Sequence, residues 1–370
     1  MINTTDFYQK LLDNNIDFFA GVPDSLLANL CACIKEKTPS EKNIITANEG
    51  NAVAMCAGYH LATNKIGVVY MQNSGEGNAV NPLVSLADEE VYSIPMLLII
   101  GWRGEPGKHD EPQHVKQGKI TLSLLDVMGI KYEILNDDYE KQLETAVMYM
   151  KKENKPYALI IQKGLFSEFK LNKEMSPYKM TREEALKAII DSLGDEDFIV
   201  STTGKTSREI FEIREQEKSG HDNDFLTVGS MGHTASIAYG MAIGTKHNVW
   251  CIDGDGSFIM HMGGMGVIGA NIPNNFKYIL NDNSAHESVG GQPTCSKTLD
   301  IPCILRSCGF KNVYVAESEE EIKEYIEKMK HETSVALVLH TKTGSRADLG
   351  RPTKTPLENK KALMKKLGAN

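Results

Sequence analysis

Two short polar segments combine the residue types that bind phosphate and a divalent metal. The first, Gly254-Asp255-Gly256-Ser257, follows a buried apolar run. Glycines let the backbone approach an anion, and the free amides at the start of a following helix donate to phosphate oxygens. Asp255 adds a carboxylate oxygen, a ligand that Mg²⁺ prefers in proteins. The segment therefore predicts a diphosphate and metal site.

The second segment, Asn281-Asp282-Asn283, comes about one crossover helix later, at the end of another apolar run. A right-handed crossover places consecutive parallel strands side by side, so this segment is expected next to the first. A second oxygen ligand then reaches the same metal. Most isolated Gly-Asp-Gly sequences are turns, but two strand ends with this polar composition are a more specific signal.

The elements that must position these residues are apolar runs alternating with amphipathic segments. Helical spacing of apolar residues is found at 24–35, 51–62 and 118–128. The apolar runs predict strands at residues 16–21, 66–71, 96–100, 158–161, 198–201, 225–228, 249–253, 278–281 and 336–341. Alternating strands and helices predict an α/β fold with doubly wound parallel sheets.

A polar stretch divides the chain into two similar halves. Residues 168–181 contain Pro177 and several charges, and a new helix is expected to begin at Arg182. We therefore expect one domain over residues 1–167 and a second over 182–370. The last part, from residue 344, predicts a basic helix that packs on the surface of the second domain.

Composition limits the classes of function. The 370 residues are enough for two domains with separate cores, and the net charge of −9 argues against nucleic acid or an anionic membrane as main partners. The seven cysteines include no paired CxxC motifs, which is typical of free thiols in a reducing compartment. The sequence has no signal-peptide pattern and no apolar run long enough to span a membrane, so a cytoplasmic protein is expected.

The spacing of the two polar segments resembles the signature of thiamine diphosphate enzymes, and the resemblance extends over nearly the whole chain. It implies two domains of the thiamine diphosphate-binding fold, with thiamine diphosphate and Mg²⁺ as cofactors. Asp255 matches the family aspartate, and Asp282 takes the place of an asparagine, with the Ser284 carbonyl as a third ligand. Because the family more often has Asn at this position, a register in which Asn283 is the ligand remains open.

Further segments of the second half match the cofactor site of this family. Residues 228–244 resemble the loop that holds the aminopyrimidine ring, which implies that the Gly229 carbonyl accepts from the 4′-amino group and that Met231 supports the bent cofactor. The turn that contains Gly204 supplies further diphosphate contacts or is only an exposed connection between a strand and a helix. With Gly254, Gly256 and Ser257, these residues form the expected cofactor site.

The first half is expected to supply the base. Thiamine chemistry needs a carboxyl group beside the pyrimidine nitrogen N1′ to help remove the C2 proton. Glu49 precedes a small-residue helix, as in the family. A glutamate at the start of a helix can also have only a structural role, because its negative charge interacts favourably with the helix dipole. In this family the cofactor lies between the pyrimidine domain of one subunit and the diphosphate domain of another. A homo-oligomer with its active site at the subunit interface is therefore implied.

The short linker leaves no room for the middle domain found in larger members of the family. This layout resembles that of the phosphonopyruvate and sulfopyruvate decarboxylases. Four segments are particularly similar to the former group: 21–27, 101–114, 283–294 and 348–352. The implied activity is decarboxylation of a small 2-oxo acid that carries a second anionic group. Sulfopyruvate as substrate, a carboligase and a catalytically silent protein with the same fold are the alternatives.

Such a substrate requires cations and amides in its pocket. A glycine-rich loop after a strand end carries Arg103, Lys108, His109 and His114, although each could simply be solvated. His114 is expected to act as a proton relay. Further candidates for the pocket are Ser25, Asp24 and His286, and Arg351 belongs either to the pocket or to the packing of the tail.

Overall fold

The computed structural model describes residues 1–172 and 176–369. The chain divides into two compact units, Met1–Lys173 with Ser288–Gln292, and Glu174–Glu287 with Pro293–Asn370. This division falls within the predicted linker, of which residues 173–175 lie outside the described part of the chain. The predicted domain boundaries stay a prediction.

Strands and helices alternate along the first unit. Its strands are β1 (Phe19–Gly21), β2 (Asn43–Ile45), β3 (Gly67–Gln72), β4 (Met96–Gly101), β5 (Lys131–Ile134) and β6 (Tyr157–Ile161). Its helices are α1 (Thr4–Asp13), α2 (Ala28–Lys37), α3 (Glu49–Thr63), α4 (Glu76–Pro82), α5 (Pro112–Val127) and α6 (Tyr139–Glu153). Short 3₁₀ turns occupy Ser40–Lys42 and Asn73–Gly75, and a π-helical segment spans Leu83–Ala87.

The first sheet has the strand order β2-β1-β3-β4-β6-β5, and the strands pair in parallel. Successive side chains of a strand point to opposite faces, and the core follows this rule. Val68 and Tyr70 belong to one apolar cluster, whereas Val69 and Met71 belong to another. The sheet is therefore covered on both faces, which explains why its central strands are continuous apolar runs.

The remaining chain repeats this alternation. Its strands are β7 (Phe198–Ser201), β8 (Asp224–Leu226), β9 (Val249–Gly254), β10 (Phe276–Asp282), β11 (Ala285–His286), β12 (Gln292–Pro293), β13 (Asn312–Ala316) and β14 (Val335–His340). Its helices are α7 (Arg182–Ser192), α8 (Lys205–Glu217), α9 (Thr234–Gly244), α10 (Asp255–Met260), α11 (Gly263–Ala270), α12 (Ile301–Cys308), α13 (Glu319–His331) and α14 (Pro356–Lys366). Single 3₁₀ turns lie at Glu287–Val289 and Ser296–Thr298. Within the described residues, none of the helices combines the length and apolar character needed to cross a bilayer.

The second sheet has the order β8-β7-β9-β10-β14-β13, again with parallel pairs. Counted along the chain within each unit, the long strands of both sheets follow the same spatial order. The predicted α/β fold with two doubly wound parallel sheets is therefore confirmed. Because the strands of each sheet run in one direction, the loops that follow them gather at one edge, where ligands of such sheets bind.

The predicted elements differ from the structure mainly at their ends. The first amphipathic helix begins at Ala28 instead of Asp24, because the Asp24 side chain accepts a hydrogen bond from the Leu26 amide and stabilises a turn there. A helix does begin at Arg182, as expected. The basic helix of the tail, α14, covers the edge strand β8, where Asn359 bonds to the Asp224 carbonyl and the Leu226 amide.

Candidate active site

The two aspartates of the predicted metal site lie at neighbouring strand ends in the second unit. Strands β9 and β10 pair with Asn281 opposite Gly254. Asp255 and Asp282 are the next residues along each strand, so they lie side by side at the edge of the sheet. Both side chains are only about 4% exposed. Burial, and then the nearby charge of Asp282, raise the pKa of Asp255 to about 7. A cation between the two carboxylates would relieve this unfavourable arrangement.

Hydroxyl and amide donors hold these carboxylates. Thr294 donates from Oγ1 to Asp255 Oδ2 at 2.5 Å, and Ser296 donates from Oγ to Asp282 Oδ1 at 2.7 Å. The Ser284 amide also donates to Asp282 Oδ1, at 2.9 Å. Thr294 ends the segment 283–294 that was singled out in the sequence, but neither Thr294 nor Ser296 was predicted to contact the aspartates, because no periodic pattern links them to the strand ends.

The geometry bears on the choice between Asp282 and Asn283 as the second ligand. The Asn283 side chain donates to Glu287 Oε2 at 2.9 Å and accepts from the Ala285 amide at 3.1 Å. Both side chains are hydrogen-bonded within this loop, but only for Asp282 is an electrostatic effect on Asp255 resolved. This arrangement favours Asp282. The Ser284 carbonyl accepts from the Thr294 amide at 3.1 Å, which leaves its second lone pair for a metal.

The donor set fits Mg²⁺ bound together with a diphosphate. Carboxylate and carbonyl oxygens are the ligands that this hard cation prefers. Among residues 1–172 and 176–369, no cluster of three or more His, Cys, Asp or Glu side chains could hold a metal alone. A cation on the Asp255 and Asp282 pair therefore needs further oxygens, and Mg²⁺ in proteins commonly takes these from phosphate groups and water.

Three strand-end segments of the second unit are joined by hydrogen bonds around the Gly-Asp-Gly turn. Gly204 has a φ of +94° and Gly229 a φ of +75°, conformations that favour glycine. The Gly229 amide donates to Thr203 Oγ1, and the Gly232 amide donates to Ser257 Oγ, both at 3.1 Å. The predicted cofactor residues after β7, β8 and β9 thus lie together in one unit.

Gly256 is closely surrounded by two other predicted residues. A Cβ atom at this position would lie 3.0 Å from His286 Nδ1 and 3.2 Å from the terminal methyl of Met231. A larger residue could therefore not be accommodated without displacing these neighbours. His286, predicted to contact substrate, lies beside the Gly-Asp-Gly turn, and burial lowers its pKa to about 4.

A buried network of charges supports the loop that follows β10. Glu287 pairs with Lys205 at 2.8 Å and with Arg182 at 2.9 Å, and Arg182 also pairs with Glu209 at 2.6 Å. Buried charges are tolerated when they are paired and hydrogen-bonded in this way. Because Asn283 also bonds to Glu287, the network fixes the loop to helices α7 and α8. The sequence gives no spacing signal for it.

In the first unit, Glu49 lies at the start of α3 and is buried. Asn78 donates from Nδ2 to Glu49 Oε2 at 2.7 Å, and a Cβ atom on Gly75 would overlap Glu49 Oε1. Burial raises the pKa of Glu49, and the Asn78 hydrogen bond opposes this rise because it favours the ionised form. A buried carboxyl with a raised pKa is suited to proton transfer near neutral pH.

Glu76 is a second buried carboxyl near this point. It is 2% exposed, and neither carboxylate oxygen has a hydrogen-bond partner among the described residues. Burial raises its pKa to about 8, so the side chain is largely protonated at neutral pH.

The loop after β4 is held by its own side chains. Arg103 bonds to Asp110 through Nε at 2.8 Å and Nη2 at 2.5 Å, and Nη1 donates to Ser25 Oγ at 2.8 Å. All three nitrogens of the guanidinium therefore already donate to side chains of the protein. Lys108 pairs with Glu105 at 2.6 Å, and His109 is exposed.

Two more predicted residues lie at this edge of the first sheet. His114 is buried in the first turn of α5, and burial, followed by the charge of Arg103, lowers its pKa to about 4. Asp24 is fully buried, and burial raises its pKa to about 6. The structure thus brings Asp24, Ser25 and Arg103 together and places His114 on the following helix, whereas His286 belongs to the other unit. Arg351 is exposed on the tail.

Comparison with known proteins agrees with this geometry. Residues 3–125 match the family described as "Thiamine pyrophosphate enzyme, N-terminal TPP binding domain", and residues 200–340 match its C-terminal TPP binding domain. Phosphonopyruvate decarboxylases from Streptomyces viridochromogenes and Streptomyces hygroscopicus are 32% and 31% identical. Each alignment covers 97% of this chain, with 93% and 92% of those proteins.

A sulfopyruvate decarboxylase from Methanosarcina acetivorans is less similar. It is 27% identical, over 85% of this chain and 84% of that protein. The full-length similarity and the two domain matches together show the class of enzyme and its cofactor. The chain belongs to the family of thiamine diphosphate-dependent decarboxylases.

Proposed function

We propose that this chain converts 3-phosphonopyruvate to phosphonoacetaldehyde and CO₂, a step of phosphonate biosynthesis. The buried pair of Asp255 and Asp282 at neighbouring strand ends carries the proposal, because it matches the metal site that such a cofactor requires. The substrate follows from the names of the relatives that align over almost the whole chain.

In this proposal the second unit binds the cofactor. Asp255, Asp282 and the Ser284 carbonyl hold Mg²⁺. The segments that contain Gly204, Gly229, Met231, Gly254, Gly256 and Ser257 surround the thiamine diphosphate. When bound, this cofactor supplies the electron sink for cleavage of the carbon–carbon bond that releases CO₂.

Glu49 moves the proton that starts the reaction. Its buried carboxyl holds or releases a proton at the pyrimidine nitrogen, and Asn78 keeps Oε2 in a fixed position. His114 is neutral at neutral pH, since its pKa is about 4, so it acts as a relay in which one ring nitrogen accepts a proton while the other donates its own to the product. Both roles depend on burial, which excludes bulk water from the reacting atoms.

The loop after β4 binds the substrate's anionic groups. Arg103 and Ser25 provide donors, with Asp24 as part of the wall, and His109 and His286 as further contacts. Because Asp110 already forms a forked pair with Arg103, a dianionic substrate must share or displace Asp110 to reach the guanidinium.

The chain acts as a homo-oligomer in which the first unit of one subunit faces the second unit of its partner. The resemblance implies this assembly, and exposed apolar side chains on helices of the second unit support it. Ile243 in α9 is 65% exposed and Val267 in α11 is 73% exposed, within helices composed mainly of small and apolar residues.

The proposed substrate is tested by measuring CO₂ release from phosphonopyruvate, sulfopyruvate and pyruvate in parallel. The protein is first stripped with EDTA. Each reaction is then run twice, once with thiamine diphosphate and Mg²⁺ added and once without them. We expect cofactor-dependent turnover with the highest kcat/KM for phosphonopyruvate. A higher value for sulfopyruvate would change the substrate but keep the reaction, and no CO₂ from any acid would contradict the proposed activity.

A further inference from the structure

Two hydroxyl side chains without an assigned role lie directly on the candidate metal ligands. Thr294 Oγ1 is 2.5 Å from Asp255 Oδ2, and Ser296 Oγ is 2.7 Å from Asp282 Oδ1. Thr294 and Ser296 are both buried, so water does not compete for these bonds. A hydroxyl has a single proton, and the aspartate is the shortest side-chain contact in each case. Both protons therefore point at carboxylates.

The same two residues also contact the third candidate ligand. The Thr294 amide donates to the Ser284 carbonyl at 3.1 Å, and Ser296 Oγ lies 2.9 Å from Ser284 Oγ. The Thr294 and Ser296 hydroxyls are themselves 3.1 Å apart. We call Thr294 and Ser296 the hydroxyl clamp, since together they contact all three groups of the proposed metal site.

The hydroxyl clamp acts on the carboxylates without adding charge. A hydrogen bond to a carboxylate oxygen is stronger than one between neutral groups and fixes the direction in which that carboxylate points. Each hydroxyl fixes one oxygen of its aspartate, Oδ2 of Asp255 and Oδ1 of Asp282. Rotation of either carboxylate would break these bonds, so the clamp holds the second oxygens in place. The second oxygen of Asp282 lies 3.9 Å from His340 Nδ1.

We propose that Thr294 and Ser296 are positioning residues that set the orientation of Asp255 and Asp282 and thereby the affinity of the site for a divalent cation. This inference rests on the proposed function, in which these two aspartates bind the metal. Groups that orient metal ligands in this way typically change metal affinity by about 10- to 100-fold when they are removed.

The test uses Mn²⁺ as a probe for the metal site. The full chain is stripped with EDTA, supplied with thiamine diphosphate and titrated with Mn²⁺, and the free ion is measured by electron paramagnetic resonance. Thr294→Val and Ser296→Ala are each expected to raise the Kd for Mn²⁺ by about 10- to 100-fold. Thr294→Ser, which keeps the hydroxyl, is expected to retain the wild-type Kd within about twofold.

Thr298→Val is the matched control. Thr298 lies on the same 3₁₀ turn as Ser296, is exposed, and donates to the Cys295 carbonyl at 2.8 Å instead of to an aspartate. Its Kd for Mn²⁺ should equal that of the wild type. A loss of affinity in Thr298→Val as large as in Ser296→Ala would mean that the turn as a whole matters, and would overturn the assigned role of the hydroxyls.

Unchanged Mn²⁺ affinity in both Thr294→Val and Ser296→Ala would also overturn the proposal. If the wild type itself bound no Mn²⁺, the metal site of the proposed function would be wrong, which is a distinct result. Circular dichroism checks that the variants are folded. If Ser296→Ala does not fold, Ser296→Cys replaces it, because the thiol keeps the volume but is a weak donor. An unchanged Kd in Ser296→Cys would equally contradict the proposal.

Discussion

The two sheets have the same strand order, yet the edges at which their strands end carry different chemistry. At the edge of the first sheet, burial is the cause that raises the pKa of Glu49, Glu76 and Asp24. At the edge of the second, a neighbouring carboxylate adds to burial in raising the pKa of Asp255, and hydroxyls hold both groups of the pair. An isolated buried carboxyl suits proton transfer, whereas a held pair suits a cation.

This difference shows that topology fixes where ligands bind and that a few side chains decide what the site does. The parallel strands bring loops to one edge in both units. A single glutamate supported by an asparagine makes the first edge a proton-transfer site in our account. In the same account, two aspartates and two hydroxyls make the second edge a metal site. Substitutions at each edge should therefore affect different steps.

Glu49→Gln should have the largest effect on turnover. The amide keeps the size of the side chain but cannot take part in proton transfer, so kcat is expected to fall by about 10²- to 10⁴-fold. The affinity for thiamine diphosphate and Mg²⁺ should stay close to that of the wild type, because the diphosphate group and the metal, which anchor the cofactor, bind at the other edge. Steady-state kinetics and a cofactor titration followed by circular dichroism measure the two effects. Activity that survives would show that Glu49 is not the base.

Asp255→Asn should produce the opposite pattern. Removing one charge of the pair weakens the binding of Mg²⁺ and of the diphosphate it neutralises, by roughly 10- to 100-fold or more in Kd. Excess Mg²⁺ and cofactor should restore part of kcat, whereas no excess should rescue Glu49→Gln. Equal cofactor affinity in Asp255→Asn and the wild type would remove Asp255 from the metal site.

Asn78→Leu should alter the pH dependence of turnover with a smaller loss of rate. The Asn78 amide favours the ionised form of Glu49, so its removal should raise the pKa of Glu49 further. The part of the pH profile that depends on ionised Glu49 should then move to higher pH, with a loss in kcat of about tenfold or less. Asn81→Leu, on the exposed face of the same helix, is the control and should leave the profile unchanged. A profile that does not move would show that Asn78 does not act on Glu49.

Glu76→Gln should have the smallest effect on activity and a distinct effect on stability. The pKa of Glu76 is about 8 in the folded protein against an ordinary value of 4.5, so the folded state binds more protons between these values. The free energy of unfolding of the wild type should therefore fall as pH rises from about 4.5 to about 8. Each pKa unit of this difference corresponds to about 1.4 kcal/mol.

Glu76→Gln removes this contribution, since the amide does not ionise. Denaturant unfolding at about pH 6 and about pH 9 should show a smaller decline for Glu76→Gln than for the wild type. The exposed Glu90, changed to Gln, serves as the control and should decline like the wild type. Equal declines in all three proteins would mean that Glu76 is not buried as a protonated carboxyl.

The sequence predicted the fold well where strands are buried on both faces. Strands such as β4 and β9 are continuous apolar runs, which is what a central parallel strand requires. In the two large sheets the missed strands are β2, β5 and β13, all at sheet edges, where partly exposed and polar residues hide the pattern. The two-residue strands β11 and β12 were also missed, because they are too short to show a periodic pattern. The repeated strand order also could not be predicted, since the two halves share no sequence repeat.

The sequence predicted those site residues whose position follows from the order of the strands. It did not predict the residues that contact them from other loops and helices. Asp255 and Asp282 follow neighbouring strands, so their proximity could be predicted. Thr294 and Asn78 contact their carboxylates through loop and helix geometry that has no periodic signal. Arg103 was predicted to contact the substrate, which stays a prediction, but its forked pair with Asp110 has no signal in the sequence and became visible only in the structure.

Mixed oligomers of two inactive variants test most directly whether the two edges act together across subunits. Glu49→Gln and Asp255→Asn chains carrying different tags are co-expressed, and hybrids are isolated by two affinity steps. If each active site takes Glu49 from one subunit and Asp255 from its partner, half the sites of a hybrid dimer contain both native residues. We predict about half the wild-type activity in the purified hybrid. A hybrid as inactive as its two parents would contradict a site shared between subunits.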